Sequence, residues 1–275
     1  MVASPHSVCS VVRSAFSVSL QFKNSFAFFA HFAVNLTIVE DFTIDSIWSP
    51  KIRIKQPARG YRFALDAVLL AHFLRCNESD DVLEVGCGAG VIAVLLSHLR
   101  KFHKLTCVEI QPELADLARY NLIENSVARS EVLNSDIRKI DGMQVDLLYS
   151  NPPYRKAGAG RLNPQQQKAI ARHEICMTLE DLFAAAQRLL NPEGRLTTIL
   201  PEFREQDYSV LAASRGYCFR ELWYVHSFAS EPRAFVLSTL SRAVGPLQER
   251  PQITIYRSPG VYTPEAQALL TAPEP

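Results

Sequence analysis

The sequence lacks the features of several common protein classes. It contains six cysteines among 275 residues, but no C-x-x-C pair and no spacing typical of a zinc site, so no metal centre is predicted. Cysteines in apolar runs, such as Cys107, favour a reduced chain in the cytoplasm over a disulfide framework. No uncharged run reaches the roughly 18 residues that a membrane-spanning helix needs. The net charge is only +1, so a polyanion would have to be bound by local basic patches.

The first 36 residues have no acidic side chain and are rich in serine, phenylalanine, valine and alanine. A signal or transit peptide would share this composition. However, Arg13, Lys23, Asn24 and His31 interrupt the apolar run. We therefore expect residues 1–40 to be an extension outside the folded protein, either disordered or translated from upstream of the true start.

Short apolar strands alternate with helical patterns after residue 80. Strands are predicted at 81–85, 105–109, 130–133, 145–150 and 195–200, with helices at 90–99, 112–124 and 178–190. This alternation is typical of β-α-β units and predicts an α/β fold with a mostly parallel sheet. Two closely spaced strands, 219–228 and 233–241, are expected to form a hairpin at the sheet edge.

The chain divides into four predicted parts. Residues 1–40 are the extension, 41–78 a basic segment with a helix at 64–75, 79–245 the α/β domain, and 246–275 a proline-rich, weakly periodic C-terminal tail. The sequence does not fix an oligomeric state, and a monomer is the simplest expectation.

A glycine loop separates the first strand of this domain from its helix, in the run DVLEVGCGAGV. Gly86, Gly88 and Gly90 permit positive φ angles and let a ligand approach the backbone closely. A dinucleotide fingerprint, G-x-G-x-x-G, would need glycine where the sequence has Val91, which argues against a dehydrogenase. The loop instead matches the one beneath the methionine end of S-adenosyl-L-methionine. Glu84, in the strand that leads into the loop, is included among the candidate cofactor-binding residues.

Two acidic residues follow the next two strands and favour a nucleoside ligand. Glu109 ends its strand nineteen residues after Gly90, where a carboxylate can bind both ribose hydroxyls. Asp136, in the run NSDI, comes just past the third strand and can accept a hydrogen bond from an adenine amine. Because ligands of open α/β sheets bind at the carboxyl ends of the strands, we expect both acids to line one cofactor site.

A rigid turn, Asn-Pro-Pro-Tyr, ends the fourth strand. An exocyclic amine on adenine is a poor nucleophile because its lone pair is delocalised into the ring. The side-chain oxygen of Asn151 and the carbonyl of Pro152 can accept its N–H groups, while Pro152 and Pro153 fix the backbone. Tyr154 can stack on a flat base, a contact worth about 1–3 kcal/mol. These four residues are the predicted catalytic set, and Asn151 is also a predicted cofactor contact.

The runs EVGCGAG, CVEIQ, NSDI and NPPY together resemble the class I S-adenosylmethionine-dependent methyltransferases that modify planar nitrogens. This resemblance implies a Rossmann-like fold with a seven-stranded, mostly parallel sheet and an antiparallel edge hairpin. Further segments are similar to a bacterial tRNA adenine-N6 methyltransferase family. They are SPKIRIKQPARGYRFALDAVLLAHF, NPPYRKAG, ARHE, EPRAFVL and GVYTPEAQALL. Its members act on the adenine beside the anticodon of a valine tRNA. The resemblance spans residues 44–270 and implies S-adenosyl-L-methionine as cofactor and tRNA as partner.

Other substrates share this chemistry. The same turn occurs in enzymes that methylate glutamine N5 in release factors, and rRNA or DNA adenine-N6 methyltransferases are a further alternative. Release-factor enzymes carry a helical domain before the glycine loop, whereas this chain has a short basic segment there. A non-catalytic cofactor-binding partner protein is disfavoured by the intact Asn151 and Tyr154. The sequence leaves open which tRNA and which adenine are modified.

Two basic stretches could bind the phosphates of an RNA. Five basic residues and no acid lie between residues 155 and 172, directly after the turn, and a second basic stretch lies between residues 51 and 62. Charge around a flipped base is what a polyanionic substrate needs. The candidate substrate-binding residues are Lys51, Arg53, Lys55, Arg155, Lys156 and Arg161. His173 and Glu174 are left as either helix-capping or pocket residues.

Overall fold

The structure is a computed structural model that describes residues 42–48, 52–58, 64–152 and 177–271. The predicted extension at 1–40 lies outside the described residues. So do several candidate site residues: Lys51, Pro153, Tyr154, Arg155, Lys156, Arg161, His173 and Glu174.

Six helices and twelve strands are formed by the described residues. The helices are α1 (Leu65–Phe73), α2 (Val91–Leu99), α3 (Pro112–Glu124), α4 (Leu179–Leu189), α5 (Glu205–Ser214) and α6 (Pro264–Leu269). The first six strands are β1 (Phe42–Ile47), β2 (Ile52–Pro57), β3 (Asp81–Val85), β4 (Lys104–Glu109), β5 (Ser130–Asn134) and β6 (Val145–Ser150). The others are β7 (Leu190–Pro201), β8 (Cys218–Phe228), β9 (Arg233–Ser241), β10 (Gln248–Glu249), β11 (Ile253–Ser258) and β12 (Val261–Tyr262).

The central sheet has the strand order β12-β11-β8-β9-β7-β6-β3-β4-β5. Strands β3 to β7 pair in parallel, and β9 runs antiparallel to both β7 and β8. The strand order reverses between β3 and β6, which places a topological switch point beside the glycine loop. The predicted Rossmann-like fold is confirmed.

The sheet is longer than the seven strands predicted, and the hairpin of β8 and β9 is not its edge. Strand β11 pairs in parallel with β8, β12 pairs with β11, and β10 adds a short second pairing to β8, which gives ten strands within the described residues. Ile253 and Ile255 alternate inward along β11, and the ring of Tyr256 packs on those of Phe228 and Tyr262. This alternation of inward and outward residues is short and has prolines on both sides. The sequence therefore predicts only weak periodicity for the tail.

Helices cover both faces of the sheet. One buried cluster joins α1, α2 and α3 to the sheet, and a second joins α4 and α5 to the opposite face. α4 begins with a capping box in which the side chains of Thr178 and Asp181 each bind the other's backbone N–H. α3 begins with Pro112, followed by Glu113 in its first turn, as the sequence predicted. Among the helices of the described residues, none combines the length and apolar character needed to cross a membrane.

The basic segment before α1 contains a two-stranded hairpin, β1 paired antiparallel with β2, which packs against α3. The amide of Asn121 accepts from the Lys55 N–H and donates to the Lys55 carbonyl, both at 2.8 Å. The amide of Asn125 binds Arg53 in the same way, at 3.1 and 2.9 Å. The side chains of Asn121 in α3 and of Asn125, the C-cap of this helix, thus satisfy the strand edge as a neighbouring strand would.

Candidate active site

A pocket opens at the carboxyl ends of β3 and β6. Gly86 and Cys87 of the glycine loop line it on one side and Asn151 on the other. Gln56 of β2 and Ala67 of α1 line it from the N-terminal part of the chain, and further lining comes from Ala89, Val91, Ile92 and Leu114. The structure therefore brings together two features that the sequence placed 65 residues apart, the glycine loop and the first residue of the turn.

The glycine loop is held in a conformation that requires glycine. Gly86, Gly88 and Gly90 have φ angles of +72°, +56° and +76°. At Gly90 a Cβ would also meet the Cα and Cβ of Ala118 in α3 at 3.2 Å, closer than ordinary contact. The third glycine thus serves both the turn and the close packing of α2 on α3.

Glu109 ties the loop to the end of β4. Its carboxylate accepts from the Gly88 N–H and from the Gln111 N–H, each at 2.9 Å, and the residue is buried. Each carboxylate oxygen has two acceptor positions, so both oxygens keep capacity for a further donor. The predicted ribose-binding acid is thus at the loop.

Glu84 lies beneath the loop and not in the pocket lining. It is buried and accepts from the hydroxyl of Tyr149 at 3.0 Å and from Cys107 Sγ at 3.8 Å. Burial raises the pKa of the Glu84 carboxyl to about 8, partly offset by the hydrogen bonds from Tyr149 and Cys107. In this position Glu84 supports the strand that carries the loop.

Asp136 caps the short 3₁₀ turn Ile137–Lys139 that follows β5. Its carboxylate accepts from the Arg138 N–H at 3.0 Å and forms an ion pair with the Arg138 guanidinium at 2.6 Å. The side-chain hydrogen bond from Arg138 lowers the pKa of the Asp136 carboxyl, so the group is ionised at neutral pH. The Ser135 N–H donates to the Glu109 carbonyl at 3.1 Å, and this hydrogen bond holds the turn beside the end of β4.

Asn151 directly follows β6, and Pro152 after it is buried. The Asn151 Nδ2 donates to the Asp66 Oδ2 at 2.9 Å. Sequence reasoning missed Asp66, although it is the only acid in the apolar run FALDAVLLA and is buried in α1. It also missed Gln56, a buried pocket residue whose side-chain amide binds Asp45 across the hairpin.

The described basic candidates lie on the hairpin. The Lys55 ammonium sits 4.8 Å from the centre of the Phe42 ring and 4.9 Å from that of Tyr120. Arg53 lies 3.6 Å from Glu124 of α3. Lys55 precedes the pocket residue Gln56 in β2, but successive side chains of a strand point to opposite faces, so Arg53 and Lys55 lie on the more exposed face of the hairpin. In the part of the chain that the structure describes, no group of three or more His, Cys, Asp or Glu side chains could hold a metal ion.

The sheet order and the glycine loop define an α/β methyltransferase domain. The pattern of the Methyltransferase small domain family matches residues 64–215, more than half of the chain. A tRNA1(Val) (adenine(37)-N6)-methyltransferase of Yersinia enterocolitica is 30% identical over 212 residues, 75% of this chain and 83% of the relative. A protein with the same name from Porphyromonas gingivalis is 29% identical over 226 residues, 77% of this chain and 88% of the relative. The chain therefore belongs to the tRNA1(Val) (adenine(37)-N6)-methyltransferase family.

Solved structures agree with the fold. A predicted O-methyltransferase from Agrobacterium tumefaciens superimposes with a TM-score of 0.56 at 22% identity, over 74% of this chain and 94% of that one. aTrm5, in its complex with tRNALeu, gives 0.53 at 13% identity, over 73% of this chain and 52% of that one. At these identities the similarity concerns the fold alone.

Proposed function

We propose that this chain transfers the methyl group of S-adenosyl-L-methionine to N6 of adenine 37, the adenine 3′ of the anticodon, in tRNA1(Val). The observation that carries the proposal is the shared pocket of the glycine loop and Asn151. Family membership supports the same reaction, because the relatives carry this activity in their names.

The cofactor is proposed to lie over the glycine loop. Among the described residues, a Cβ at Gly86 would meet only the tip of Met177, at 4.0 Å, which leaves room for a ligand to approach this backbone closely. Gly86, Gly88 and Gly90 would face the methionine end, Glu109 the ribose hydroxyls and Asp136 the adenine amine. Glu84, beneath the loop, would act through it. When bound, the cofactor supplies an electrophilic methyl group.

The turn after β6 is proposed to hold the target base. The Asn151 side-chain oxygen and the Pro152 carbonyl would accept the two N–H groups of the adenine amine, which draws its lone pair out of the ring. Pro153 would fix the turn, and Tyr154 would stack on the base. Such acceptors act by placement and electrostatics, since the proton can leave after methyl transfer without a strong base.

The RNA is proposed to approach along the hairpin and the residues after the turn. Lys51, Arg53, Lys55, Arg155, Lys156 and Arg161 would contact phosphates around a flipped adenine. We further propose that the α/β domain at 79–245 acts as a monomer in the cytoplasm, where tRNA is modified. Residues 41–78 would supply part of the substrate side, and 246–275 would complete the sheet.

A transcript-based assay tests the substrate. Purified protein is incubated with S-adenosylmethionine and a tRNA1(Val) transcript, and the nucleosides are quantified by mass spectrometry. We expect N6-methyladenosine in this transcript and none in a matched transcript with guanosine at position 37. Methylation of a purified release factor with no product in either tRNA would instead support the glutamine-methylating alternative.

A further inference from the structure

We propose that Asp66 is a positioning residue for the reaction: its carboxylate fixes the direction in which the Asn151 amide faces the target amine. This inference rests on the proposed function and assigns a role to a side chain of α1. Asp66 is not proposed to contact the reacting atoms itself. It acts through Asn151.

Among the described residues, the Asp66 carboxylate accepts from the N–H groups of Asn151 and Ala67. Oδ2 accepts from Asn151 Nδ2 at 2.9 Å, and Oδ1 accepts from the Ala67 N–H at 2.9 Å. Asp66 is only 8% exposed, so water competes little for these bonds. An acid buried in an apolar helix is costly unless its oxygens are bonded, and one of the bonds that stabilise Asp66 comes from the pocket residue Asn151.

The chemistry of the pair decides the orientation of the amide. An ionised carboxylate only accepts hydrogen bonds, whereas an amide has a donor NH₂ and an acceptor oxygen. The NH₂ of Asn151 must therefore face Asp66, because the reversed amide would place its oxygen against a carboxylate oxygen. The acceptor oxygen is then turned away from α1. An adenine amine presents N–H donors, so only this orientation offers it the acceptor that the proposed reaction needs.

The placement of α1 links this orientation to the cofactor loop. Ala67, next to Asp66, lines the same pocket as Gly86, and α1 packs on α2, the helix that begins directly after Gly90. Helix α1, which orients the Asn151 amide, is therefore in contact with α2, which follows the glycine loop. The packed pair of α1 and α2 would therefore position both the methyl donor and the target amine.

Asp66→Asn is a nearly isosteric test. If the oxygen of the introduced amide keeps the bond to the Ala67 N–H, the NH₂ of that amide faces Asn151. The Asn151 amide then turns to present N–H to the substrate. We expect kcat to fall about 30-fold, by the loss of a transition-state acceptor. The Kd for S-adenosylmethionine and the KM for tRNA should stay within about threefold, since neither ground-state interaction is removed.

Exchanging the residues at positions 66 and 151 tests for a recovery of kcat that a purely structural role of Asp66 would not produce. In the variant carrying Asp66→Asn together with Asn151→Asp, the introduced amide can donate to the introduced carboxylate, which offers an acceptor whichever way it turns. We expect this exchange to be at least about tenfold faster than Asp66→Asn alone. Because it restores a donor–acceptor pair, it also tests the proposal if the single variant folds poorly.

Asp80→Asn is the matched control. Asp80 is a similarly buried acid that precedes β3, at the opposite end of the sheet, where it binds Asn77 and Arg195. Its kcat should equal that of the wild type even if its melting temperature falls. A kcat for Asp66→Asn within threefold of wild type, or an exchange no faster than Asp66→Asn, would overturn the positioning role. Failure of the wild type to methylate adenine would instead overturn the proposed function.

Discussion

The Glu109 carboxylate accepts a hydrogen bond from the Gly88 N–H at 2.9 Å, which joins the end of β4 to the middle of the glycine loop. One side chain therefore shapes the loop and stands where a ribose is expected. Removing it should affect the loop and the cofactor together.

Glu109→Ala should weaken S-adenosylmethionine binding at least about tenfold, since a lost charged acceptor typically costs about 1.5–3 kcal/mol. Isothermal titration calorimetry measures this directly. Glu78→Ala is the control, because Glu78 is an exposed acid before β3 that pairs with Lys101. Unchanged affinity in Glu109→Ala would remove this residue from the cofactor site.

Gly90→Ala should destabilise the protein more than Gly142→Ala does. Both glycines have a φ of +76°, but a Cβ at Gly90 would meet Ala118 at 3.2 Å, whereas no atom of the described residues lies within 4 Å of a Cβ at Gly142. The common φ strain cancels in the comparison, which leaves about 1–3 kcal/mol for the forced displacement of α2 from α3. Urea unfolding of both variants gives the difference, and equal losses would contradict the packing role.

The pH dependence of stability should carry the signature of Glu84. Burial raises the pKa of this carboxyl from 4.5 to about 8, so the folded state holds a proton that the unfolded state releases. The stability that this proton confers is complete below pH 4.5 and is lost as the pH rises to about 8. Between these pH values the free energy of unfolding should fall with a slope of up to about 1.4 kcal/mol per pH unit.

Glu84→Gln should remove that slope, because glutamine is neutral throughout and can still accept from Tyr149. Urea unfolding between about pH 5 and pH 8 measures it. Glu131→Gln is the control: the hydrogen bond from Lys104 lowers the pKa of Glu131, so it titrates below this window. A Glu84→Gln curve parallel to the wild type would show that Glu84 is charged in the folded protein.

RNA binding should depend steeply on salt through the basic candidates, because the net charge of +1 supplies little attraction. Each neutralised phosphate contributes a log–log slope of roughly −0.7 to −0.9. Replacing Arg155 and Lys156 with glutamine should flatten the slope by about 1.5 and raise the KM for tRNA. Filter binding across a salt series tests this, with Lys101→Gln, an exposed lysine before β4, as control. Equal salt slopes for the Arg155 and Lys156 variant and for the Lys101→Gln control would show that Arg155 and Lys156 do not contact RNA phosphates.

The sequence predicted the elements whose signal is local. The order of strands and helices, the glycine loop and Asn151 at a strand end all follow from periodicity and turn chemistry within short windows. Asp66 meets Asn151 across 85 positions, and the amides of Asn121 and Asn125 reach β2 across 66 and 72. No spacing rule encodes such contacts, because they depend on how α1 and the hairpin pack on the finished sheet. The tail strand β11 was missed because its alternation is short and flanked by Pro251 and Pro259.

Single-turnover methyl transfer by Asn151→Ala measures how much the Asn151 amide contributes to the reaction. The wild type should form N6-methyladenosine in tRNA1(Val). The variant should be at least about 100-fold slower, since Asn151 is proposed to grip the amine most strongly in the transition state. Its Kd for S-adenosylmethionine, measured in parallel, should stay within a fewfold. A rate within about tenfold of wild type would contradict the catalytic role of Asn151, because its acceptor oxygen would then contribute little to lowering the barrier.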